Sequence, residues 1–365
     1  MKLTDLKRAV TLATKLTTRG TRPVLGGLLL SPDGIRATDL ETEVEIGIPD
    51  LIDLPRVVDA RALGKILRSF KGRGAEVELR SSADGVRVCR VGTAVSVHIA
   101  SLVPPEEFPV SSFLGSDAEL QGTDTELRTA LKRIVSTATT DPTRFQMHGA
   151  LLTVRRDGVR MVSTDGKRMG VQDLDMNVRF ADVLDDEFSV ILSLPALTII
   201  ERALPKDAPF DSRIDVSRQG IEIETADRVR IRSRAVEGTF PNYKHAIPGG
   251  PFEVTQRLPV ESMIGAVEIA KAGTTPGTMS VGFEFRGKEL RIFSGTTTEP
   301  NAEASVSLAE HTVDFDIFFN PGYVLDLLKT CGGEELEASF RDHKSAALFS
   351  LPGYRQIIMP LVVQK

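Results

Sequence analysis

Three groups of side chains in this sequence could carry chemistry: five histidines, one acidic run and two rows of cations. The histidines (His98, His148, His245, His311, His343) are scattered, and none forms a His-x-x-x-His pair. No Gly-x-Ser-x-Gly or Gly-x-Gly-x-x-Gly motif accompanies them, so the convergent nucleophile, base or ligand set of an enzyme is missing. Asp185-Asp186-Glu187 reads as a solvated acidic loop rather than a metal site. Gly166-Lys167 is followed by Arg168 and has no glycine five residues before it, so it is not a phosphate loop of the Walker type. Cys89 and Cys331 lie far apart without Cys-x-x-Cys spacing, which suits free thiols in the cytoplasm rather than a disulfide framework or a zinc site. The expectation is a protein that is not an enzyme and needs no cofactor or metal.

The cations are the positive signal. The chain of 365 residues has a net charge of −5, yet residues 2–22 hold six basic groups (Lys2, Lys7, Arg8, Lys15, Arg19, Arg22) against Asp5 alone. Residues 61–73 hold five (Arg61, Lys65, Arg68, Lys71, Arg73) and no acid, so these two stretches carry +10 and the remainder −15. Segregated charge lets one surface hold a polyanion while the others repel it. No aromatic residue interleaves the rows, Trp is absent and Tyr numbers three, which disfavours a stacking platform for single strands. Such rows suit phosphate contact without base reading, and equally an ordinary solvated helix face.

Helices must present those rows. Leu3, Leu6, Val10 and Ala13 recur at helical spacing over 3–17, with Arg8, Lys15 and Arg19 opposite. Leu63, Ile66, Leu67 and Phe70 do the same over 59–70, opposite Arg61, Lys65 and Arg68. Further helices are expected at 124–138, 195–204, 259–272 and 320–330. The third is polar and weakly basic outside (Thr125, Thr129, Lys132, Ser136), while in later helices Glu201 is expected to offset Arg202 and Lys206, and Asp326 to offset Lys329. Between them run short strands: 25–30, 35–38, 41–48, 76–80, 85–91, 94–102, 150–155, 158–163, 187–192, 213–217, 220–225, 228–235, 278–285, 289–294, 302–308, 335–340, 345–351 and 355–363. Within this series Ser163-Thr164-Asp165-Gly166-Lys167-Arg168-Met169-Gly170 reads as strand, Asp-Gly turn and strand. Asp39 and Asp165 each follow a strand, and both read as turn or capping carboxylates.

The order helix, strands, helix, strands occurs three times. Asp33-Gly34, Asp157-Gly158 and Arg286-Gly287 are spaced 124 and 129 apart, and Phe108-Pro109 and Phe240-Pro241 are 132 apart. Units of this size are domains, so the reading is an α+β protein of three tandem similar domains, 1–117, 118–246 and 247–365. No stretch approaches the roughly 18 apolar residues of a membrane helix, and the acid-bearing Met1-Lys2-Leu3-Thr4-Asp5 does not read as a secretory leader.

Taken in order, several segments resemble the bacterial DNA polymerase sliding clamp, the beta subunit of the replicative polymerase. They are Arg22-Pro23-Val24-Leu25-Gly26-Gly27-Leu28-Leu29-Leu30 and Ala37-Thr38-Asp39-Leu40-Glu41 in the first repeat. In the second they are Arg144-Phe145, His148-Gly149-Ala150-Leu151-Leu152, Ser163 through Met169, and Gly238-Thr239-Phe240-Pro241-Asn242-Tyr243 through Ile247-Pro248. In the third they are Phe319-Asn320-Pro321-Gly322-Tyr323-Val324-Leu325-Asp326-Leu327-Leu328 and Ile358-Met359-Pro360-Leu361. The resemblance implies a head-to-tail homodimeric ring with helices lining the hole and antiparallel sheets outside. Such a ring encircles duplex DNA without sequence preference and tethers the replicative polymerase. It implies DNA contact by Arg8, Lys15, Arg19, Arg22, Arg61, Lys65, Arg68 and Lys132. It implies a hydrophobic pocket between the second and third domains that takes short linear motifs of polymerase, clamp loader and repair proteins. That pocket maps to Met147, Thr164, Gly166, Lys167, Arg168, Met169, Pro241, His245, Ala246, Ala346, Ile357, Met359, Pro360 and Leu361. Within it Lys167, Arg168 and His245 are expected to fix an acidic or amide-bearing peptide. Two features depart from the family pattern: Lys167 stands where His is common, and the chain runs on past Met359-Pro360 to Lys365. The alternative is a DNA-binding or regulatory protein on the clamp fold that closes no ring.

Overall fold

The structure, a computed structural model, describes residues 1–18, 20, 22–72, 74–112, 115–182, 186–205, 212–275, 279–296, 298–333 and 335–362. By contact the chain divides into two units. The first is Met1–Leu131 with Thr153–Gly158 and Asp175–Glu237; the second is Lys132–Leu152 with Val159–Leu174 and Gly238–Lys365. The described helices are α1 (Leu3–Ala13), α2 (Ala60–Ser69), α3 (Asp124–Thr137), α4 (Leu194–Ala203), α5 (Val260–Ala272) and α6 (Pro321–Leu328), set among antiparallel strands. The α+β expectation holds.

In the first unit nine strands form one sheet. Their order is Asn177–Phe180, Ala118–Gln121, Arg213–Ser217, Gly220–Glu224, Val229–Arg234, Thr42–Gly47, Gly34–Thr38, Gly27–Ser31 and Arg56–Asp59. Its central join pairs Ile231 with Val44 and Arg232 with Glu43. Buried Thr42 and Ser233 hydrogen-bond across it at 3.1 Å, and Arg232 reaches Glu43 at 3.2 Å and Glu222 at 2.9 Å. A separate three-stranded sheet holds Val77–Ser82, Gly85–Arg90 and Ser96–Ala100.

α1 buries Leu3, Leu6, Ala9, Val10 and Ala13, so its apolar stripe is the foreseen one plus Ala9. It ends at Ala13, earlier than the expected 17. Beyond Ala13 the backbone tightens into i→i+3 bonds, Lys15 N to Leu12 O, Leu16 N to Ala13 O and Thr17 N to Thr14 O, as helix ends commonly do. Lys15 therefore sits on that turn. The Lys7 ammonium donates to the Phe70 carbonyl at 3.0 Å and ties α1 to the residue that closes α2.

α2 starts where Asp59 caps it, the carboxylate accepting the Ala62 N–H at 2.6 Å. Replacing Asp59 by alanine removes that acceptor and costs about 1 kcal/mol. We expect amide exchange across residues 60–63 to quicken roughly five-fold. Unchanged exchange would show that the cap does not hold the first turn.

In the second unit six strands pair in the order Gly158–Thr164, Arg168–Leu174, Tyr354–Ile358, Ala347–Leu351, Leu336–Phe340 and Val254–Leu258. A two-stranded sheet pairs Val281–Gly295 with Pro300–Phe319, and the Gln256 side chain donates to its Glu310 carbonyl at 3.3 Å. The core there is aromatic. Phe340 is buried with ring centroids of Phe315 at 5.4 Å and Phe285 at 5.5 Å. The sequence reading placed strands at 278–285, 289–294 and 302–308. Instead one bulged strand and one 20-residue strand occupy this region, with register shifts around Gly287. Residues 276–278 lie outside the described residues. The strands Arg56–Asp59, Ala118–Gln121, Asn177–Phe180 and Val254–Leu258 were not foreseen as separate elements.

Candidate peptide pocket and cationic face

The foreseen DNA-contact residues of the first unit are exposed. Arg8 and Lys15 project from α1 and its closing turn, Arg22 from the segment before the 3-10 turn Pro23–Gly26, and Arg61, Lys65 and Arg68 from α2. Arg19 lies outside the described residues, as do Arg73, Lys206 and Asp185. In the second unit Lys132 is exposed but not idle, since its ammonium donates to the Lys329 carbonyl at 3.1 Å.

Two features of this face escaped the sequence reading. The Arg8 guanidinium approaches the Asp227 carboxylate at 3.4 Å, a pair 219 positions apart that no local pattern could show. Arg202 of α4 was expected to be offset by Glu201. Glu201 is instead held by Arg128, whose Nη2 lies 3.1 Å from its carboxylate and whose Nε donates to its carbonyl at 2.9 Å. Arg202 is thereby released to solvent. It lines a groove of about 630 Å³ together with Arg8, Lys15 and Asp227, over an apolar floor that includes Ile46 and Val229.

The second group of candidates is built on the hairpin Gly158–Thr164 to Arg168–Leu174, whose last ladder pair is Thr164 with Met169. Gly166 has a φ of 85°, the left-handed value that a short loop needs and glycine adopts without strain. Asp165 organises the turn. One carboxylate oxygen accepts the N–H groups of Lys167 at 2.8 Å and Arg168 at 2.9 Å. Asp39 does the same for Glu41 at 3.1 Å and Thr42 at 2.7 Å. The turn-carboxylate reading of both residues is borne out. Behind the hairpin, the buried hydroxyls of Ser163 and Thr137 bond to each other, and Ser163 also donates to the Ile134 carbonyl at 2.7 Å. Gly170 permits this closeness: a Cβ there would lie 2.6 Å from the Thr137 hydroxyl oxygen.

The C-terminal strand completes one wall. Arg168 pairs with Ile358 and Met169 with Ile357, and the Met359 N–H donates to the Lys167 carbonyl at 2.9 Å. The Leu361 N–H then donates to the Phe318 carbonyl at 2.8 Å. Ala346 precedes Ala347, whose ladder partner is Ile358. Just before it, Asp342 accepts the Lys344 and Ser345 N–H groups at 2.7 and 2.6 Å and the Ser345 hydroxyl at 2.6 Å. The Ser345 hydroxyl bond, then the two backbone N–H bonds, pull the Asp342 carboxyl down to about 2. Met147 reaches the turn from the other side, its Cε within 4.0 Å of where a Gly166 Cβ would lie.

The structure thus brings Met147, Thr164, Gly166, Lys167, Arg168, Met169, Ala346, Ile357, Met359, Pro360 and Leu361 to one neighbourhood. Met169, Ile357 and Pro360 are buried, while Met359 and Leu361 are 44% and 38% exposed. Pro241, His245 and Ala246 are exposed on the segment that closes in the 3-10 turn Lys244–Ala246. That segment meets the neighbourhood where Gly238 packs on the side chain of Gln146, the residue before Met147.

Sequence reasoning gave Tyr323 no role and set Asp326 against Lys329, whose ammonium instead meets the Glu268 carboxylate at 3.1 Å. The Arg168 guanidinium lies 4.3 Å from the Tyr323 ring centroid, 3.0 Å from Asp165 and 2.6 Å from Asp326. The available signal was the opening of α6, where Asn320 accepts the Gly322 N–H at 2.8 Å and fixes which face Tyr323 and Asp326 share.

Among the described residues no group of three or more His, Cys, Asp or Glu could hold a metal, neither cysteine forms a disulfide, and no helix is long and apolar enough to cross a membrane.

Comparison with known proteins supplies the kinship. Residues 123–242 match the family "DNA polymerase III beta subunit, central domain". The beta sliding clamp of Caulobacter vibrioides is 28% identical over 371 residues, covering 94% of this chain and 94% of that relative. The DNA polymerase III beta subunit of Thermotoga maritima superposes with a TM-score of 0.84 at 22% identity, covering 100% of this chain and 99% of that one. The Helicobacter pylori beta clamp, solved bound to a DNA ligase peptide, gives 0.79 at 15% identity, covering 98% of each chain. The chain is similar to bacterial beta sliding clamps over nearly its whole length and has the fold of a DNA polymerase III beta subunit.

Proposed function

We propose that two copies of this chain close head to tail into a ring that encircles duplex DNA and tethers the replicative polymerase, making the protein a non-catalytic processivity factor. The observation that carries the proposal is the match to beta sliding clamps over 94% of both chains. In this reading residues 1–117, 118–246 and 247–365 are three clamp domains. Arg8, Lys15, Arg19, Arg22, Arg61, Lys65, Arg68 and Lys132 meet phosphates. The neighbourhood around Thr164–Met169 and Met359–Leu361 is the pocket for linear motifs of polymerase, loader and repair proteins. The Helicobacter pylori relative bound to a DNA ligase peptide supports that last role. The protein then works in the cytoplasm.

Charge supports the head-to-tail closure. The three-stranded sheet ends on Ser96–Ala100, and residues 85–100 carry Arg87, Arg90 and His98 without an acid. The two-stranded sheet ends on Pro300–Phe319, which has no Lys or Arg; Arg291 and Arg286 of the paired strand hold its Glu303 and Asp316, and Glu310 and Asp314 remain as its exposed acids. Among the described residues neither strand is laddered on its outer side. An unpaired edge is a template for another strand. Acid facing acid disfavours pairing like with like, whereas the acidic edge of one copy suits the basic edge of the next, and two such contacts close a ring. Sedimentation equilibrium at micromolar protein should return twice the chain mass, with the dimer loosening as salt rises. A stable monomer at low salt removes the ring and leaves the non-ring-forming DNA-binding or regulatory protein in its place.

A further inference from the structure

Resting on the DNA-facing reading of α1 above, we infer that Asp227 is a brake on that face: its carboxylate competes with DNA phosphates for Arg8 and keeps the grip of the groove loose. The Arg8 Nη2 lies 3.4 Å from the Asp227 carboxylate, with the side chains 69% and 55% exposed. The contact is long and single-pronged, not the bidentate fork of a tight pair. The guanidinium therefore keeps donors for a phosphate, but a phosphate that arrives meets a cation already shared with a carboxylate. Asp227 acts as a positioning residue, through Arg8, and tempers DNA contact rather than blocking it.

A fastened turn sets the position of that carboxylate, between the strands Gly220–Glu224 and Val229–Arg234. The Thr225 N–H donates to the Val229 carbonyl at 2.9 Å, the Arg228 N–H to the Thr225 carbonyl at 3.0 Å and the Val229 N–H to the Thr225 hydroxyl at 3.2 Å. Arg228 takes a φ of 58°, a left-handed value that a residue with a side chain seldom adopts, and its carbonyl accepts the Gly47 N–H at 2.8 Å. The root of Asp227 is thus held while its tip stands in water. Of the charged side chains lining the groove, Lys7 is held by the Phe70 carbonyl, and Arg8, Lys15 and Arg202 are exposed cations. Asp5 and Asp227 are the acids, and among the described residues only Asp227 of the two is paired with a groove cation. Glu201, beside Arg202, is taken by Arg128 instead. Phosphate contacts accumulate in affinity and in salt dependence, and a protein that slides must release each of them. One carboxylate set against one cation subtracts about one such contact.

The test is the anisotropy of a short fluorescein-labelled duplex titrated with the full chain at about 50 mM salt and then at rising salt. Asp227→Asn should bind about three- to five-fold tighter than the wild type, the range of an exposed ion pair, and steepen the salt slope by roughly one. Asp227→Glu, which keeps the charge, should bind as the wild type does. Asp5→Asn removes the same charge from the same groove without freeing Arg8, and should gain at most about two-fold. Arg8→Gln should cost about two-fold in the wild type and about ten-fold in Asp227→Asn, where the guanidinium is no longer shared. An equal gain in Asp5→Asn and Asp227→Asn overturns the brake, because general charge then accounts for both. So does an Arg8→Gln cost that is the same in both backgrounds, which leaves the DNA-facing reading of α1 standing. If Arg8→Gln binds as the wild type does in both backgrounds, α1 does not meet DNA, and the brake falls with that reading.

Discussion

Truncating Met359 and Leu361 together to alanine is expected to cost a bound apolar peptide about 2–4 kcal/mol, roughly a thirty- to thousand-fold loss of affinity, while thermal unfolding stays where it was. Both side chains stand partly in water, 44% and 38% exposed, so their methylenes contribute little to the free fold. Their backbone N–H groups donate to the Lys167 and Phe318 carbonyls, and alanine keeps both bonds. The wall of the pocket should therefore survive with its apolar lining removed. Fluorescence anisotropy with a labelled clamp-binding peptide, beside a melting curve, separates the two effects. Wild-type affinity in the double variant would remove the pocket assignment. A fall in melting temperature would show that the tail holds the fold rather than the ligand.

Reversing Arg8 and Lys65 to glutamate is expected to weaken binding to duplex DNA about ten-fold for each site at about 50 mM salt, equally for all sequences, and to lower the salt slope by roughly two. The two residues sit on α1 and α2, and both are exposed. The Arg8–Asp227 pair lost with the first substitution has side chains 69% and 55% exposed, and exposed pairs of this kind contribute little to stability. Circular dichroism should be unchanged. Full retention on DNA by the double variant would contradict the assignment of this face.

The helices were legible because burial follows a 3.6-residue stripe: Leu3, Leu6, Val10 and Ala13 were readable as one side of α1, and Leu63 and Leu67 as one side of α2. The unforeseen strands are four or five residues long, too short for alternation to rise above the surrounding turns. Over 281–319 the sequence reading stopped at Arg286-Gly287 because Gly287 looks like a turn. It does have a positive φ, of 56°, but the chain uses it as a bulge inside one strand. Asp165 was readable from its Asp-Gly turn, since its bonds reach only two and three residues ahead. The clamp on Arg168 was not readable. It depends on Asp326, 158 positions away, and only the fold brings that carboxylate to the turn. The same holds for Arg8 with Asp227 and for the release of Arg202 by Arg128. What lay in local pattern was visible, and what lay in long-range electrostatics was not.

Ring closure around DNA is tested most directly by retention on nicked circular duplex against the same duplex linearised, after loading and a wash at moderate salt. A topological ring stays on the circle and runs off the free ends, so the predicted result is lasting retention on the circle and rapid loss from the line. Equal retention on both forms would mean that the protein grips a groove or a patch of phosphates, and would contradict a sliding clamp.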